Sequence, residues 1–132
     1  YPMINVHVSA MIVIDDADET NGGLEVVSRR HHELLPLDER GCIAAATAAE
    51  LEWEPVPLAA GQTLWFHSRT PHRSAPNHSK LPRRALYPTY NAASEGDLRG
   101  AYYETKLAAF AAAPAGDRAR VSLIGDFEGR PV

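Results

Sequence analysis

The residues best suited to chemistry lie between positions 67 and 91, in the stretch HSRTPHRSAPNHSKLPRRALYPTYN. It combines three histidines with five basic side chains, although the 132-residue chain has a formal net charge of −4. Imidazoles bind metal ions, and guanidinium groups bind carboxylates and phosphates. The three histidines are five and six residues apart, so one strand or helix face cannot collect His67, His72 and His78. The spacing therefore does not favour a three-histidine metal site.

A second combination uses the segment HHE at 31–33. In an extended segment, His31 and Glu33 share one side. With His72 they would form the two-histidine, one-carboxylate set that is typical of non-haem iron enzymes. The alternative is a surface loop whose polar side chains are solvated, and the composition of the segment favours that alternative.

Arg83 is a candidate for binding an anion. It follows Pro82 at the start of a predicted strand, on the same face as Tyr87. An inward-facing guanidinium there suits a bidentate interaction with a carboxylate or phosphate. A surface cation beside an edge strand is the commoner role of a single arginine, and we predict that role for Arg84, which points the other way. The sequence lacks a nucleophile elbow around Ser74 and a glycine-rich phosphate loop.

Composition limits the class of protein. The length allows one domain, which we predict to span residues 1–132. A negative net charge disfavours nucleic-acid binding, which needs a basic face. No apolar run approaches 18 residues, so the sequence does not predict a membrane-spanning helix. The single Cys42 has no cysteine partner and indicates a reducing, cytoplasmic compartment.

Hydrophobic patterning predicts the elements that position these residues. Alternation over 3–14 gives one apolar face and one mixed face, and the mixed face includes Ser9 and Met11. An acidic turn follows at 15–23, where Asn21-Gly22 favours left-handed backbone. Further strands are predicted at 24–28, 54–58, 62–68 and 83–91, and helices at 43–53 and 95–116. The order predicts a mainly β protein, a sandwich or open barrel with two peripheral helices.

Three segments in this order resemble the phytanoyl-CoA dioxygenase family of Fe(II)- and 2-oxoglutarate-dependent oxygenases. They are DDADETNGGLEVVSRRHH, VPLAAGQTLWFHSRTPHRSAPN and RRALYPTYN, and the resemblance runs from about residue 4 to residue 92. It implies a double-stranded β-helix, or jelly roll, whose open mouth holds the iron. It also implies an enzyme that uses Fe(II), with 2-oxoglutarate and dioxygen as co-substrates.

The resemblance implies a role for individual residues. His72 matches the distal iron ligand, and no further catalytic residue is implied beyond it. Arg83, eleven residues on, matches the arginine that pairs with the far carboxylate of 2-oxoglutarate, and Ser74 matches the hydroxyl that helps bind it. Ser9 and Met11 match positions that line the co-substrate pocket.

We expect the chain to be the C-terminal portion of a larger dioxygenase domain, because the family's His-x-Asp pair falls ahead of the strand that begins near Met3. The parent protein would hydroxylate a small, polar molecule, and the 132-residue piece alone would be inactive. Candidate substrate-binding side chains are Tyr1, Asn5, His7, Tyr87 and Asn91. The alternative is a non-catalytic jelly-roll module that binds a small anion through Arg83 and Ser74. A cupin-like metal isomerase is a third reading, which needs further histidine ligands.

Overall fold

The computed structural model describes residues 7–39 and 41–112, and it confirms a mainly antiparallel β architecture. The chain divides into two compact units, one that contains both sheets and ends at Tyr90, and one from Asn91 onward that contains the longer helix. The prediction that residues 1–132 form a single domain stays a prediction.

The strands are β1 (His7–Val13), β2 (Leu24–Val26), β3 (Glu54–Pro55), β4 (Thr63–His67), β5 (His72–Ser74), β6 (Ala85–Leu86) and β7 (Thr89–Asn91). The α-helices are α1 (Ala45–Glu50) and α2 (Arg99–Ala112), and short 3-10 turns lie at Glu19–Asn21 and Ala93–Glu95.

The larger sheet is built around β1. It has the order β4-β1-β6, and β7 also pairs with β1. Antiparallel pairing places Ser9 opposite Phe66 and Met11 opposite Leu64. Because directly opposed residues lie on the same face of a sheet, these four side chains share one face, which we call the inner face.

The smaller sheet has the order β3-β2-β5. Its register places Leu24 opposite Ser74 and Val26 opposite His72. Pro55 lies in β3 at the sheet edge, where a residue without an N–H is tolerated. The face that carries Leu24 and Val26 is the inner face of this sheet.

The hydrophobic core lies between the two inner faces. Met11 and Val13 from the larger sheet are buried together with Ala17 and with Leu24 from the smaller sheet. Partly buried side chains packed against this cluster are Val26, Leu58, Leu64, Phe66 and Ala85. Two sheets that bury their facing sides against each other form a β-sandwich, in agreement with the predicted jelly-roll class.

The predicted strand at 83–91 is interrupted in the structure. It forms β6 and β7 as separate pieces, and Pro88 lies between them. Proline cannot donate to a strand ladder, but its carbonyl still accepts from Ala10 N at 2.9 Å. The last helix begins at Arg99 rather than at 95, because Gly96 has a φ of 83° and the backbone is not helical there.

The turn between β1 and β2 has the left-handed geometry that its sequence predicts. Gly22 has a φ of 76°, and the preceding Asn21 is buried. The Asn21 amide donates to Asp16 O at 2.7 Å and accepts from Asp18 N at 3.0 Å. A Cβ on Gly22 would overlap the carbonyl oxygen of Ala75, directly after β5. The glycine therefore allows this turn to approach the end of β5 closely.

We expect Gly22→Ala to lower the free energy of unfolding by at least about 2 kcal/mol, because it adds steric overlap to left-handed strain. Gly61→Ala is the matched control, since Gly61 has a φ of 86° but nothing within 4 Å of the added Cβ. The control should lower the free energy of unfolding only by the cost of left-handed backbone strain, about 1 kcal/mol. Urea denaturation of both variants measures the difference, and equal losses would show that the close approach to Ala75 is unimportant.

Candidate active site

His72 begins β5 and lies on the inner face, opposite Val26. Its ring is 5.4 Å from the ring of Phe66 on the other sheet, centroid to centroid. Its Nδ1 is 2.8 Å from Thr70 O. A carbonyl oxygen only accepts, so Nδ1 must carry the proton in this contact. In the neutral ring, Nε2 then holds a free lone pair, which is the arrangement of a metal-binding histidine whose orientation is fixed by its other nitrogen.

Ser74 lies two residues beyond His72 on the same inner face, opposite Leu24, and it is exposed. The side chain of Arg73 between them projects from the outer face. There it forms a bidentate pair with Glu25, at 2.6 and 3.1 Å, and its guanidinium lies 4.3 Å over the ring of Trp53. The hydrogen bonds from Arg73 lower the pKa of Glu25. Alternation along β5 therefore separates a structural arginine from two exposed polar side chains that lie on the inner-face side of the sheet.

Arg83 precedes β6 and by strand alternation shares the side of Ala85, which packs against the core. Its Nε is buried and has no hydrogen-bond partner among the described residues. Burial raises the pKa of the Tyr87 hydroxyl, and the positive charge of Arg83 partly offsets this effect. A buried donor without a partner is costly unless a ligand satisfies it. This guanidinium is therefore suited to an anionic ligand, as the sequence predicts.

Arg84 is held on the opposite side by Asp15. Its Nε and Nη2 donate to the two carboxylate oxygens, each at 2.8 Å, and its backbone N–H also donates to Asp15 at 2.8 Å. The carbonyl of Arg84 accepts from Ile14 N at 2.9 Å. Arg84 is thus a largely exposed cation, as predicted, but one that is paired with Asp15 rather than only solvated. It fixes the backbone immediately beside Arg83.

The Arg84 hydrogen bonds lower the pKa of the Asp15 carboxyl to about 2. A carboxylate whose folded-state pKa is lowered contributes stability above its unfolded value and loses it as pH falls through the folded value. We expect the Asp15 contribution to be complete at neutral pH and to disappear as pH falls from about 4 to about 2. Asp15→Asn should therefore lower the urea midpoint at pH 7, and its difference from the wild type should shrink in acid. A difference that stays constant from pH 7 to pH 2 would contradict this role.

The two residues matched to the co-substrate pocket occupy different layers of the inner face. Ser9 is half-buried, and its Oγ lies 3.0 Å from Thr89 Oγ1. Met11 is two residues deeper and only 1% exposed, in the centre of the hydrophobic core. The inner face of β1 thus changes from polar at Ser9 to fully packed at Met11. Their assignment to the co-substrate pocket stays a prediction.

The predicted substrate-binding residues are only partly covered by the structure. Tyr1 and Asn5 lie outside the described residues. His7 is half-buried at the start of β1, and Tyr87 is 51% exposed beside β6. Both amide hydrogens of Asn91 are directed at backbone carbonyls of its own loop, at Ala92 and Gly96. Their roles in substrate binding stay predictions.

The other histidines do not complete a metal site with His72. His67 accepts from Arg69 N at 3.0 Å through Nδ1, and its ring lies 5.2 Å from that of His31. Burial lowers the pKa of His67, and the nearby positive charges act in the same direction. Glu33 forms an ion pair with Arg30. Within residues 7–39 and 41–112, no three histidine, cysteine or acidic side chains converge as metal ligands, so the arrangement does not support the set of His31, Glu33 and His72.

The described residues fit an iron and 2-oxoglutarate site in part. They offer one imidazole with a free Nε2, a hydroxyl on the same strand face, and a buried guanidinium nitrogen that lacks a partner. A facial iron site needs two further protein ligands, which the described side chains do not bring to His72. These three groups belong to His72, Ser74 and Arg83, the residues to which the family resemblance assigns the distal iron ligand and the binding of 2-oxoglutarate. Those assignments stay predictions.

Sequence reasoning missed two features of this site. It predicted no strand at 72–74, whereas β5 is a strand that pairs with β2 and orients His72 and Ser74. It also did not select Thr89, whose hydroxyl meets Ser9 from β7. The alternating order of His72 and Ser74 was the only local signal for β5, since the strand has no apolar residue.

Comparison with known proteins identifies the family. Residues 1–85 match the model for phytanoyl-CoA dioxygenase (PhyH). The chain belongs to the phytanoyl-CoA dioxygenase family. This result confirms the resemblance drawn from the three sequence segments.

Two curated members of the phytanoyl-CoA dioxygenase family are close in sequence. The chain is 44% identical over 134 residues to a methylphosphonate hydroxylase from Gimesia maris. The alignment covers 99% of the chain and 52% of that protein. It is 34% identical over 105 residues to a 2-aminoethylphosphonate dioxygenase from the uncultured bacterium HF130_AEPn_1, covering 79% of the chain and 40% of that protein. The chain therefore spans about half the length of the curated relatives that it matches.

The fold agrees with a solved structure of a related protein. The crystal structure of AviO1 from Streptomyces viridochromogenes Tue57 superposes with a TM-score of 0.54 at 31% identity, over 66% of this chain and 37% of that one. The match supports the assignment of this phytanoyl-CoA dioxygenase family member to the jelly-roll class. Within the described residues, neither helix has the length and apolar character needed to cross a bilayer.

Proposed function

We propose that the protein carrying this chain is an Fe(II)- and 2-oxoglutarate-dependent dioxygenase that hydroxylates a small phosphonate. The observation that carries the proposal is the geometry of His72, whose Nδ1 is anchored to Thr70 O while Nε2 keeps its lone pair on the inner face. The relatives named for methylphosphonate and 2-aminoethylphosphonate support a phosphonate as the substrate class. A cytoplasmic location accompanies the proposal as a prediction.

The residues of this chain have separate tasks in the proposed site. His72 would supply one iron ligand through Nε2. Arg83 would pair with the far carboxylate of 2-oxoglutarate, and Ser74 would donate its hydroxyl to the same group. When bound, iron with 2-oxoglutarate and dioxygen supplies an oxidation in which R–H, 2-oxoglutarate and O₂ give R–OH, succinate and CO₂. The protein contributes binding, orientation and the exclusion of water.

Strand register arranges these tasks along one direction. Ser9 of β1 lies opposite Phe66, which contacts His72, whereas Val13 lies opposite Ala85, two residues from Arg83. The Ser9 end of β1 therefore lies nearer to His72, the proposed metal ligand, and the Val13 end lies nearer to Arg83, the proposed carboxylate-binding residue.

The proposal is tested by product analysis. The purified parent protein that carries this chain, and not the 132-residue piece alone, is supplied with Fe(II), 2-oxoglutarate and dioxygen, together with methylphosphonate, 2-aminoethylphosphonate or acetate as a small carboxylate control. We expect one of the phosphonates to yield succinate and a hydroxylated product in equal amounts, and acetate to yield neither above background. Background turnover with both phosphonates, or equal turnover with acetate, would contradict the proposed substrate class.

The non-catalytic module remains a second candidate function on a specific observation. The described residues contain an unpartnered guanidinium nitrogen at Arg83 but no converging set of three metal ligands. Such a module would bind a small anion through Arg83 and Ser74 in the absence of metal. The two candidates therefore differ in whether anion binding depends on Fe(II).

A further inference from the structure

Ser9 and Thr89 form a hydroxyl pair on the inner face of the larger sheet. Their oxygen atoms lie 3.0 Å apart, although the residues are 80 positions apart in sequence. Ser9 shares its side of β1 with Met11, which is buried in the core, so the pair faces the space between the sheets. Thr89 is nevertheless exposed. Thr89 is therefore accessible to solvent, and to a ligand, at this level of the sheet.

Strand register relates the hydroxyl pair to the proposed metal ligand through Phe66. Ser9 is directly opposite Phe66 on β4. The Phe66 ring in turn lies 5.4 Å from the His72 ring on the facing sheet. Ser9 is thus paired in register with the residue whose ring approaches His72, two residues along β1 from the packed Met11.

A hydroxyl pair of this kind keeps hydrogen-bonding capacity for a ligand. One hydroxyl donates to the other, so the pair retains one O–H donor that its internal bond does not use. A phosphonate carries several anionic oxygens, and donors directed at ionised oxygens form the stronger class of hydrogen bond. A site that hydrogen-bonds its substrate discriminates strongly against compounds that lack the matching group.

We propose that Thr89, held by Ser9, is a specificity-determining residue that hydrogen-bonds an anionic oxygen of the substrate. This inference rests on the proposed function and extends it to a residue on β7. In the proposed site, Arg83 and Ser74 engage the far carboxylate of 2-oxoglutarate, and metal chelation engages its other end. The substrate phosphonate is the remaining anion, and Thr89 of the hydroxyl pair is exposed and therefore accessible to it.

A purely structural role makes a different prediction. A cross-strand bond between serine and threonine contributes only modestly to the stability of a sheet, and it would affect stability without affecting substrate binding. The measurement that separates the two roles is the KM for the phosphonate, compared with kcat and with the KM for 2-oxoglutarate.

The test uses Thr89→Val, which keeps the branched shape and removes the hydroxyl. With methylphosphonate as the probe, or 2-aminoethylphosphonate if that is the substrate turned over, we expect the KM to rise about 10-fold or more. The KM for 2-oxoglutarate should stay unchanged. Ser9→Ala should shift the KM in the same direction, and Thr89→Ser, which restores a hydroxyl, should recover most of the loss. Thr63→Val is the matched control, because Thr63 is an exposed strand threonine opposite Ile12 on the outer face.

Each contrary outcome has a distinct meaning. An unchanged phosphonate KM in Thr89→Val, with normal wild-type turnover, overturns this inference alone. A rise confined to the KM for 2-oxoglutarate also overturns it and favours the co-substrate role that the family resemblance implies for Ser9. Absence of wild-type turnover with either phosphonate overturns the proposed function and this inference with it. Thermal unfolding of Thr89→Val and Thr63→Val shows whether loss of folding contributes to the effect.

Discussion

Replacing His72 with alanine is expected to reduce 2-oxoglutarate-dependent turnover to below about 1% of wild type. Loss of groups that merely orient a metal ligand typically costs about 10- to 100-fold in affinity or activity, so loss of the ligand itself should exceed that range. The imidazole is oriented by Thr70 O and presents Nε2 on the inner face, and alanine retains neither property. Succinate formation in the presence of Fe(II) and phosphonate measures the effect.

The matched control for His72→Ala is His78→Ala. His78 is an exposed histidine in the same segment, outside the strands. Its replacement removes the same imidazole but should leave turnover close to wild type. Circular dichroism of both variants checks that the sheets remain folded. Wild-type turnover in His72→Ala would exclude His72 as an iron ligand, and equal losses in both variants would indicate a general loss of structure.

The second large effect is expected at Arg83. Arg83→Gln should raise the KM for 2-oxoglutarate by at least about 30-fold, because loss of one partner of a hydrogen-bonded charge pair costs about 2 kcal/mol or more. The buried Nε of Arg83, which lacks a partner among the described residues, is the structural basis of this expectation. A lysine at this position retains the positive charge but not the planar set of guanidinium donors. Arg83→Lys should therefore bind 2-oxoglutarate more tightly than Arg83→Gln and less tightly than the wild type. Steady-state kinetics with 2-oxoglutarate as the varied substrate measures both variants.

Arg84→Gln is the matched control for Arg83→Gln. Arg84 is the adjacent residue, and its guanidinium is occupied by Asp15. Its loss should lower the stability of the protein and leave the KM for 2-oxoglutarate nearly unchanged, because the backbone N–H and carbonyl of residue 84 keep their bonds to Asp15 and Ile14. If Arg84→Gln raised this KM as much as Arg83→Gln, the loss of a positive charge in general, and not of a specific pairing with Arg83, would explain the result.

The features of the fold that depend on local sequence were predicted well. Asn21-Gly22 predicted left-handed backbone, and Gly22 adopts it. The alternation around Ser9 and Met11 predicted a strand with a mixed face, and β1 has one. In both cases the residue types themselves restrict the backbone or the side-chain direction, so neighbouring residues carry enough information.

The features that depend on pairing between distant segments were not predicted. The three residues of β5 are polar and exposed, so no local hydrophobic pattern marks them as a strand. Only their pairing with β2 places His72 and Ser74 on the inner face of the sheet, opposite Val26 and Leu24. The contact between Ser9 and Thr89 likewise joins positions 80 residues apart. Sequence patterns predict which faces alternate, whereas sheet register decides which side chains meet.

The candidate site shows the same division. The family resemblance selected His72, Ser74 and Arg83, but the sequence did not reveal how each is held. The hydrogen bond to Thr70 O and the Asp15–Arg84 pair are properties of the folded chain. The first contact orients His72 as a proposed metal ligand. The second shows that Arg84 is already paired, which leaves Arg83 as the arginine proposed to bind the anion.

Anaerobic calorimetry of 2-oxoglutarate binding, with and without Fe(II), tests the central claim most directly. If His72 contributes to an iron site that shares 2-oxoglutarate with Arg83, metal and co-substrate must strengthen each other's binding. We predict that Fe(II) tightens 2-oxoglutarate binding roughly 10-fold or more in the wild type and that His72→Ala loses this metal dependence. Binding of equal affinity with and without Fe(II) in the wild type would contradict the account and favour the metal-independent anion-binding module.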